Sequence, residues 1–458
     1  MSKVHSSGLS LLLIFSASTI SVGLVTKPAL AITTYYVATN GSDSNSGSQN
    51  SPFATISHAA YKAKAGDTVY VRGGTYSFTK EQYIGSIGTA SSPISYQSYP
   101  GEKAILDGTK TPSNTNIVNL AGAYNIFKGF EVKNSKFTGI VSWGGKNLQI
   151  LNNTVYNSYK NGIFVGYDKD MTTASNIRID GNTVYMNCLA NKSRTLADGW
   201  DQGIASGRAS NVTISNNHVY QNYGEGIDFI LTKGGVASGN KVYDNYSVNL
   251  YLDNATDITV ERNHIYTTNN TNFYRDGKPA SGIQAANEYY DFSNPVNNIK
   301  IRNNIVIGGN TGFAYFSNYG KGGGLKNFVI ANNTFYKATR AILLIHSDPG
   351  HTNNLIANNI FYQTDNVAMT EIPAKTGLGF QNNSWYGGSA GIAGGTGDVT
   401  ANPLLVNLGT TVATDYKLQL GSPAIEAGTT LTQVTNDYAG SSRPLGLKYD
   451  IGAYEFFK

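Results

Sequence analysis

The stretch Asn211-Val-Thr-Ile-Ser-Asn-Asn217-His-Val-Tyr-Gln221 recurs along the chain. Copies occupy 147–157, 176–186, 257–267, 298–308 and 327–337, and weaker ones begin Asn240-Lys-Val-Tyr, Asn359-Ile-Phe-Tyr and Asn383-Ser-Trp-Tyr. Each is anchored by one Asn: 153, 182, 217, 240, 263, 304, 333, 359 and 383. The spacings are 29, 35, 23, 23, 41, 29, 26 and 24 residues. A floor of 23 with variable excess means a fixed coil plus loops of different length. Within each copy, Val, Ile and Tyr alternate with polar residues and are bounded by Asn and Gly. That pattern marks short strands without helical periodicity. So small a unit cannot bury its own apolar face and must stack on its neighbours. Stacked coils with three short strands make a parallel β-helix, an all-β solenoid. The recurring Asn then forms an internal ladder, its amide donating and accepting between coils ~4.8 Å apart.

Composition agrees. Of 458 residues, 14% are charged and 40% hydrophobic, which excludes a disordered chain. The single Cys, Cys188, excludes an internal disulfide framework. The length suits several domains, but the repeat argues for one elongated body. At the N-terminus, Lys3 and His5 precede an apolar run over 9–25, followed by Pro28-Ala29-Leu30-Ala31. This is the pattern of a secretory signal, expected to end at Ala31. Its removal takes away Lys3 and Lys27 and leaves +3 of the chain's +5 charge. That is too mild for a nucleic-acid partner, and no basic stripe is present. The mature chain is expected to be a monomer, free of the membrane, with one β-helix domain over 32–458. Caps are expected over 32–75 and 400–458. Ser51-Pro52 reads as the start of a capping helix over 53–65. Asp450-Ile-Gly-Ala-Tyr-Glu-Phe reads as a closing strand.

A second strand in each coil carries Ile140, Ile163, Ile204, Ile227, Leu250 and Ile283 inward. Alternation then turns Val141, Phe164, Ala205, Asp228, Tyr251 and Gln284 outward, with Asp253 on the same face. Insertions at 172–175, 189–201 and 267–298 flank the coils of Asp228 and Tyr251. Functional chemistry in a regular rod sits where loops interrupt it. One patch therefore collects Asp198, Asp201, Glu225 and Asp228, with Asp253, Arg208, Lys233 and Tyr251 nearby. Carboxylates one rung apart repel unless a cation or proton intervenes. Ca²⁺, which takes six to eight oxygens, fits such a cluster; a solvated acidic edge of turns is the alternative. His218 and His264 read as parts of the repeat. His346 and His351 lie near Asp348 with no nucleophile.

The residues Ala197-Asp198-Gly-Trp-Asp201 and Asn222-Tyr-Gly-Glu225-Gly-Ile-Asp228 resemble the calcium-binding signature of family 9 polysaccharide lyases, pectate-lyase-like enzymes on a right-handed parallel β-helix. The opening from Tyr35 resembles the start of many secreted β-helix proteins of that group. The resemblance implies Asp198, Glu225 and Asp228 as Ca²⁺ ligands, with Asp201 beside them. Gly224 and Glu225 stand where the signature has two Asp. The catalytic Lys of the family falls on Tyr251. Tyr251 is then either the base or an aromatic platform for a sugar, and Lys233 is the nearest lysine by coil position. Arg208 and Asp253 are expected to contact substrate.

The implied reaction is removal of the proton α to a uronate carboxylate and expulsion of the 4-linked oxygen, with Ca²⁺ neutralising the carboxylate. The expected partner is an acidic polysaccharide such as pectate. Two other functions are open: a non-catalytic surface β-helix that binds glycans, and a metal-independent glycoside hydrolase using two of the acids.

Overall fold

The computed structural model describes residues 32–457, apart from 168–173, 198, 289–294 and 319–322. The expected signal segment, residues 1–31, lies outside the described residues. Among the described residues no helix is long and apolar enough to cross a membrane.

Residues 32–386 wind as a parallel solenoid with three sheets of 13, 11 and 12 strands. One coil shows the order. Gln202–Gly207 lies in the 11-stranded sheet, Ser210–Ser215 in the 13-stranded sheet and His218–Tyr220 in the 12-stranded sheet; Glu225–Ile230 then starts the next coil above Gln202–Gly207. Every pairing between successive coils in the three sheets is parallel and in register, as at Ile204↔Ile227↔Leu250↔Ile283. These side chains and Ile140 and Ile163 are fully buried, as alternation predicts. Each contributes about 2 kcal/mol by burial, so the apolar stack carries the fold.

The Asn residues do three jobs. The ladder Asn are buried, and each accepts from the one below. Asn217 N and Nδ2 both donate to Asn240 Oδ1 at 3.0 Å, and Asn240 Nδ2 donates to Asn263 Oδ1 at 2.9 Å. The residue before each ladder Asn turns the corner in the left-handed region: φ is 54° at Asn216 and 64° at Gly239. Asn and Gly tolerate that conformation best, hence the Asn-Asn doublets. A second, shorter ladder runs at the corner leading into the 11-stranded sheet: Asn187 Nδ2 to Asn222 Oδ1 at 3.1 Å, Asn222 Nδ2 to Asn245 Oδ1 at 2.9 Å, and Asn245 Nδ2 to Asn249 Oδ1 at 3.0 Å. This ladder needs glycine opposite it. A Cβ on Gly226 would meet Asn249 O at 2.3 Å and Asn245 Nδ2 at 2.8 Å.

The N-terminal helix is shorter than the sequence predicts. It spans Ile56–Lys62, with Thr55, not Ser51, as N-cap accepting from His58 N. Asp43 holds the preceding turn by accepting from the Ala54 and Thr55 amides, which displaces the start beyond Pro52. Ile56, Ala59 and Ala60 are buried in the core at that end. The C-terminal tail also differs from expectation. Residues 450–456 form no strand; the segment from Leu405 to Tyr454 lies along the outside of the coils. There it covers Tyr266, Ile305, Ile307, Tyr336, Ile360 and Tyr362. Those outward residues are apolar and need a cover, which a strand confined to the end of the rod cannot supply. Arg443, paired with Glu455 at 2.5 Å, fixes this strap through Asn303 Oδ1.

Candidate functional site

The site lies on the outer face of the 11-stranded sheet. Register places Asp228 beside Tyr251 and Ile230 beside Asp253, on neighbouring rungs. Gln202 pairs with Glu225 one rung earlier. The outward face is covered here: Glu225, Asp228, Tyr251 and Asp253 are all buried. Two loops build the wall. Loop 188–201 and loop 267–280 meet through Arg194 Nη1, which donates to Asn272 O at 3.1 Å. Tyr223 packs on Phe273, and the Arg275 guanidinium lies 4.2 Å above the Trp200 ring.

Gln202 links the acids to the rung below. It accepts from Asn161 Nδ2 at 2.7 Å and donates to Glu225 Oε2 at 3.1 Å. Glu225 and Asp228 are both buried and titrate as a pair, and carboxyl groups so placed favour a shared proton over two charges. Burial pushes Asp228 well above the usual carboxylate range, and the charges of Glu225 and Asp253 push it further. Burial raises Glu225 to about 7, against the hydrogen bond from Gln202. Asp228 Oδ1 is buried and has no hydrogen-bond partner among the described residues. Tyr251 donates to Glu288 Oε1 at 2.6 Å. Burial first, then Asp253 and Glu288, hold its phenol well above its ordinary value, so it stays protonated.

The sequence-predicted residues distribute as follows. Glu225, Asp228, Tyr251 and Asp253 come together. Asp198 lies outside the described residues. Asp201 turns to Lys160, forming an ion pair at 3.2 Å. Among the described residues no group of three or more His, Cys, Asp or Glu is arranged to hold a metal ion. Lys233 does not join the site: it opens the strand Lys233–Ser238 of the 13-stranded sheet and is exposed. Five residues beyond Asp228, the chain has already turned a corner. Arg208 sits at that corner in the coil below, its guanidinium 5.0 Å from the Tyr167 ring. Tyr251 is neither an ionised base nor an exposed platform, since its ring packs with Val248, Ala286 and Phe316. Glu288, Arg275 and Trp200 are site residues the sequence reading missed. The only sequence signal for them was the length of the insertions.

Above the acids runs a groove. One cavity of about 250 Å³ is lined by Trp200, Glu225, Tyr251, Glu288, Arg340 and His346, among others. A second, of about 400 Å³, shares Ser247, Arg275, Ser281, Gln284 and Asn310 with it, so the two are continuous.

Comparison with known proteins agrees with the fold. Residues 35–249 match the family described as "Pel9A-like, right handed beta helix region", and residues 192–335 match the general right-handed β-helix region. The chain is thus a right-handed parallel β-helix protein, and it is similar to pectate lyases of that fold. It is 41% identical over 85 residues to pectate lyase PEL9 of Emericella nidulans; that match spans 19% of this chain and about a fifth, 21%, of the relative's length. It is 23% identical over 446 residues to pectate lyase L of Dickeya chrysanthemi, covering 92% of this chain and 90% of that one. The crystal structure of pectate lyase Pel9A superimposes with a TM-score of 0.60 at 18% identity, covering 93% and 98% of the two chains; this likeness is one of fold.

Proposed function

We propose that this protein is a secreted polysaccharide lyase that cleaves a uronic-acid polymer of the pectate kind by Ca²⁺-assisted β-elimination. The observation that carries the reading is the buried Glu225–Asp228 pair, of which Glu225 lines the groove. Two buried carboxyl groups side by side are costly in a chain this poor in acids, and function accounts for their presence.

The donor set fits a hard cation. Glu225 and Asp228 offer carboxylate oxygens, one of them, Asp228 Oδ1, without a partner. They and Asp198 would hold the ion. When bound, Ca²⁺ supplies the positive charge that neutralises a C6 carboxylate and makes the neighbouring C5 proton removable.

The chain's own groups then handle the protons. Tyr251 occupies the position where the resembling family has Lys, and its phenol is a donor. Glu288 accepts from it at 2.6 Å. In this reading the Glu288 carboxylate takes the C5 proton while the Tyr251 hydroxyl gives its proton to the departing O4. The C4–O4 bond breaks and a C4=C5 double bond forms. The proton on Glu288 then passes to Tyr251 along their hydrogen bond, restoring both groups. Gln202 orients Glu225, and the loops of Trp200 and Arg275 limit access of water.

The test is incubation with polygalacturonate, alginate and neutral glycans, in Ca²⁺ or chelator. Unsaturated uronide that disappears on chelation supports the reading; no cleavage of any uronic polymer overturns it. A second reading, a metal-independent glycoside hydrolase, draws on the proton shared by Glu225 and Asp228, which a general acid needs. It requires saturated products and indifference to chelator.

A further inference from the structure

The loop 267–280 ends in a hairpin whose design is legible in its backbone. Arg275 and Lys278 pair across a two-residue turn, with φ of 50° at Asp276 and 75° at Gly277. Positive φ at both central residues is the type I′ turn, and Asp-Gly is the dipeptide that favours it. The turn thus fixes where Arg275 and Lys278 stand, and both line the groove.

Arg275 is held as well as placed. Its guanidinium lies against the Trp200 ring, and its nearest acid, Asp276, is exposed and only at 3.8 Å. The side chain is partly open to the groove, where it faces the Glu225 end. The contrast with Arg340, in the same groove, is informative. Arg340 is spent on a bidentate pair with Glu371, Nε to Oε1 at 3.1 Å and Nη2 to Oε2 at 2.7 Å. Arg275 has no such partner. Beside it, the Trp200 indole Nε1 is a buried donor with no acceptor. A planar cation that lines both cavities, stands partly open and is stacked on an indole ring fits an oxygen-rich anion.

The groove also has a direction. Its lining passes from Glu225 through Ser247, Ser281 and Asn310 to Arg340, one coil at a time. Four rungs at ~4.8 Å make about 19 Å along the solenoid axis. A polymer laid there crosses the rungs in file.

We infer that Arg275 is the specificity-determining residue of this groove: it binds the carboxylate of a uronic-acid unit lying next to the Glu225–Asp228 pair, with the polymer parallel to the solenoid axis. This rests on the reading of the site as one for uronic polymers, and it adds the residue that distinguishes the acid from its ester. Arg275 is a binding residue and takes no part in proton transfer.

The experiment measures binding by affinity electrophoresis and calorimetry, with polygalacturonate and its fully methyl-esterified form as probes, in Ca²⁺ and again in chelator. Arg275→Gln is expected to weaken polygalacturonate binding at least tenfold in both conditions and to leave the ester unaffected. Arg275→Lys should recover part of the loss. In kinetics, KM should rise and kcat hold. Equal loss for acid and ester, or no loss for either, overturns the inference, as does a wild-type chain that prefers the ester. Thermal unfolding of each variant shows that the loops remain in place. If polygalacturonate binds in an Arg275-dependent way but yields no unsaturated product, the lyase reading fails and this one stands. If product forms equally well with Arg275→Gln, the reverse holds.

Discussion

The Tyr251 hydroxyl donates to Glu288 Oε1 at 2.6 Å, joining one coil to the next across the floor of the groove. Nothing in the sequence points to this: they are 37 positions apart, with a long insertion between them. The bond ties a phenol that stays protonated to the carboxylate that can recharge it.

Removing either partner should therefore cost rate more than binding. Tyr251→Phe and Glu288→Gln are each expected to lower kcat on polygalacturonate about 100-fold or more, with KM little changed, the usual weight of a positioned acid or base. The double variant should be scarcely slower than either single one, because the two act as a unit. Steady-state kinetics decide it, and a fully active Tyr251→Phe removes Tyr251 from the mechanism.

The acid pair predicts a response to metal. Ca²⁺ should raise Tm of the wild type, because a ligand bound only to the native state stabilises it. Asp228→Asn should abolish that rise. In chelator it should be at least as stable as the wild type, since a buried carboxyl group is replaced by a neutral amide. Calorimetry with Ca²⁺ and with chelator measures both. A wild type indifferent to Ca²⁺ removes the ion from the site.

In the main ladder, Asn240→Ala strands the Asn217 amide and the Ile214 carbonyl, both now bonded to Asn240 and buried. Two unsatisfied groups at ~1–3 kcal/mol each give a loss of about 4 kcal/mol. Urea unfolding should show it with an unchanged slope.

His264 gives the chain an acid sensitivity. Burial, and then nearby Lys241, lower its pKa to about 4 from 6.5. The folded protein holds this His neutral. The stabilisation is complete above pH 6.5 and is lost as pH falls through about 4, on the order of 3 kcal/mol in all. His264→Gln should flatten the fall of unfolding free energy between pH 6.5 and 4. An unchanged slope refutes the assignment.

Gly226 separates Glu225 from the core. A methyl group there meets Asn249 O at 2.3 Å, a backbone atom that cannot swing away. Gly226→Ala should cost about 2 kcal/mol by overpacking and should also weaken Ca²⁺ binding, because Glu225 moves with it. Calcium titration followed by Tm shift checks the second effect.

The solenoid was legible because its causes are local and repeated. The ladder Asn, the inward Ile row and the outward position of Asp228 follow from period and alternation alone. The second ladder was not legible, since Asn187, Asn222 and Asn245 are few and an insertion interrupts them. Lys233 was misplaced because counting residues ignores corners: it belongs to the next sheet. Arg275, Trp200 and Glu288 come from loops or loop edges, where no periodicity fixes position. Their meeting depends on Arg194 reaching Asn272 and on the turn at Asp276-Gly277. The C-terminal strap was missed because its reason lies elsewhere in the chain, in the apolar outward residues of the 12-stranded sheet.

The meeting of loops 188–201 and 267–280 has an implication for how such proteins diversify. The rods beneath are rulers whose graduations the backbone sets, so a bound chain finds its contacts ready spaced. The two loops are interruptions of that ruler that touch each other. Exchanging them together would rebuild the groove's walls and leave every coil intact.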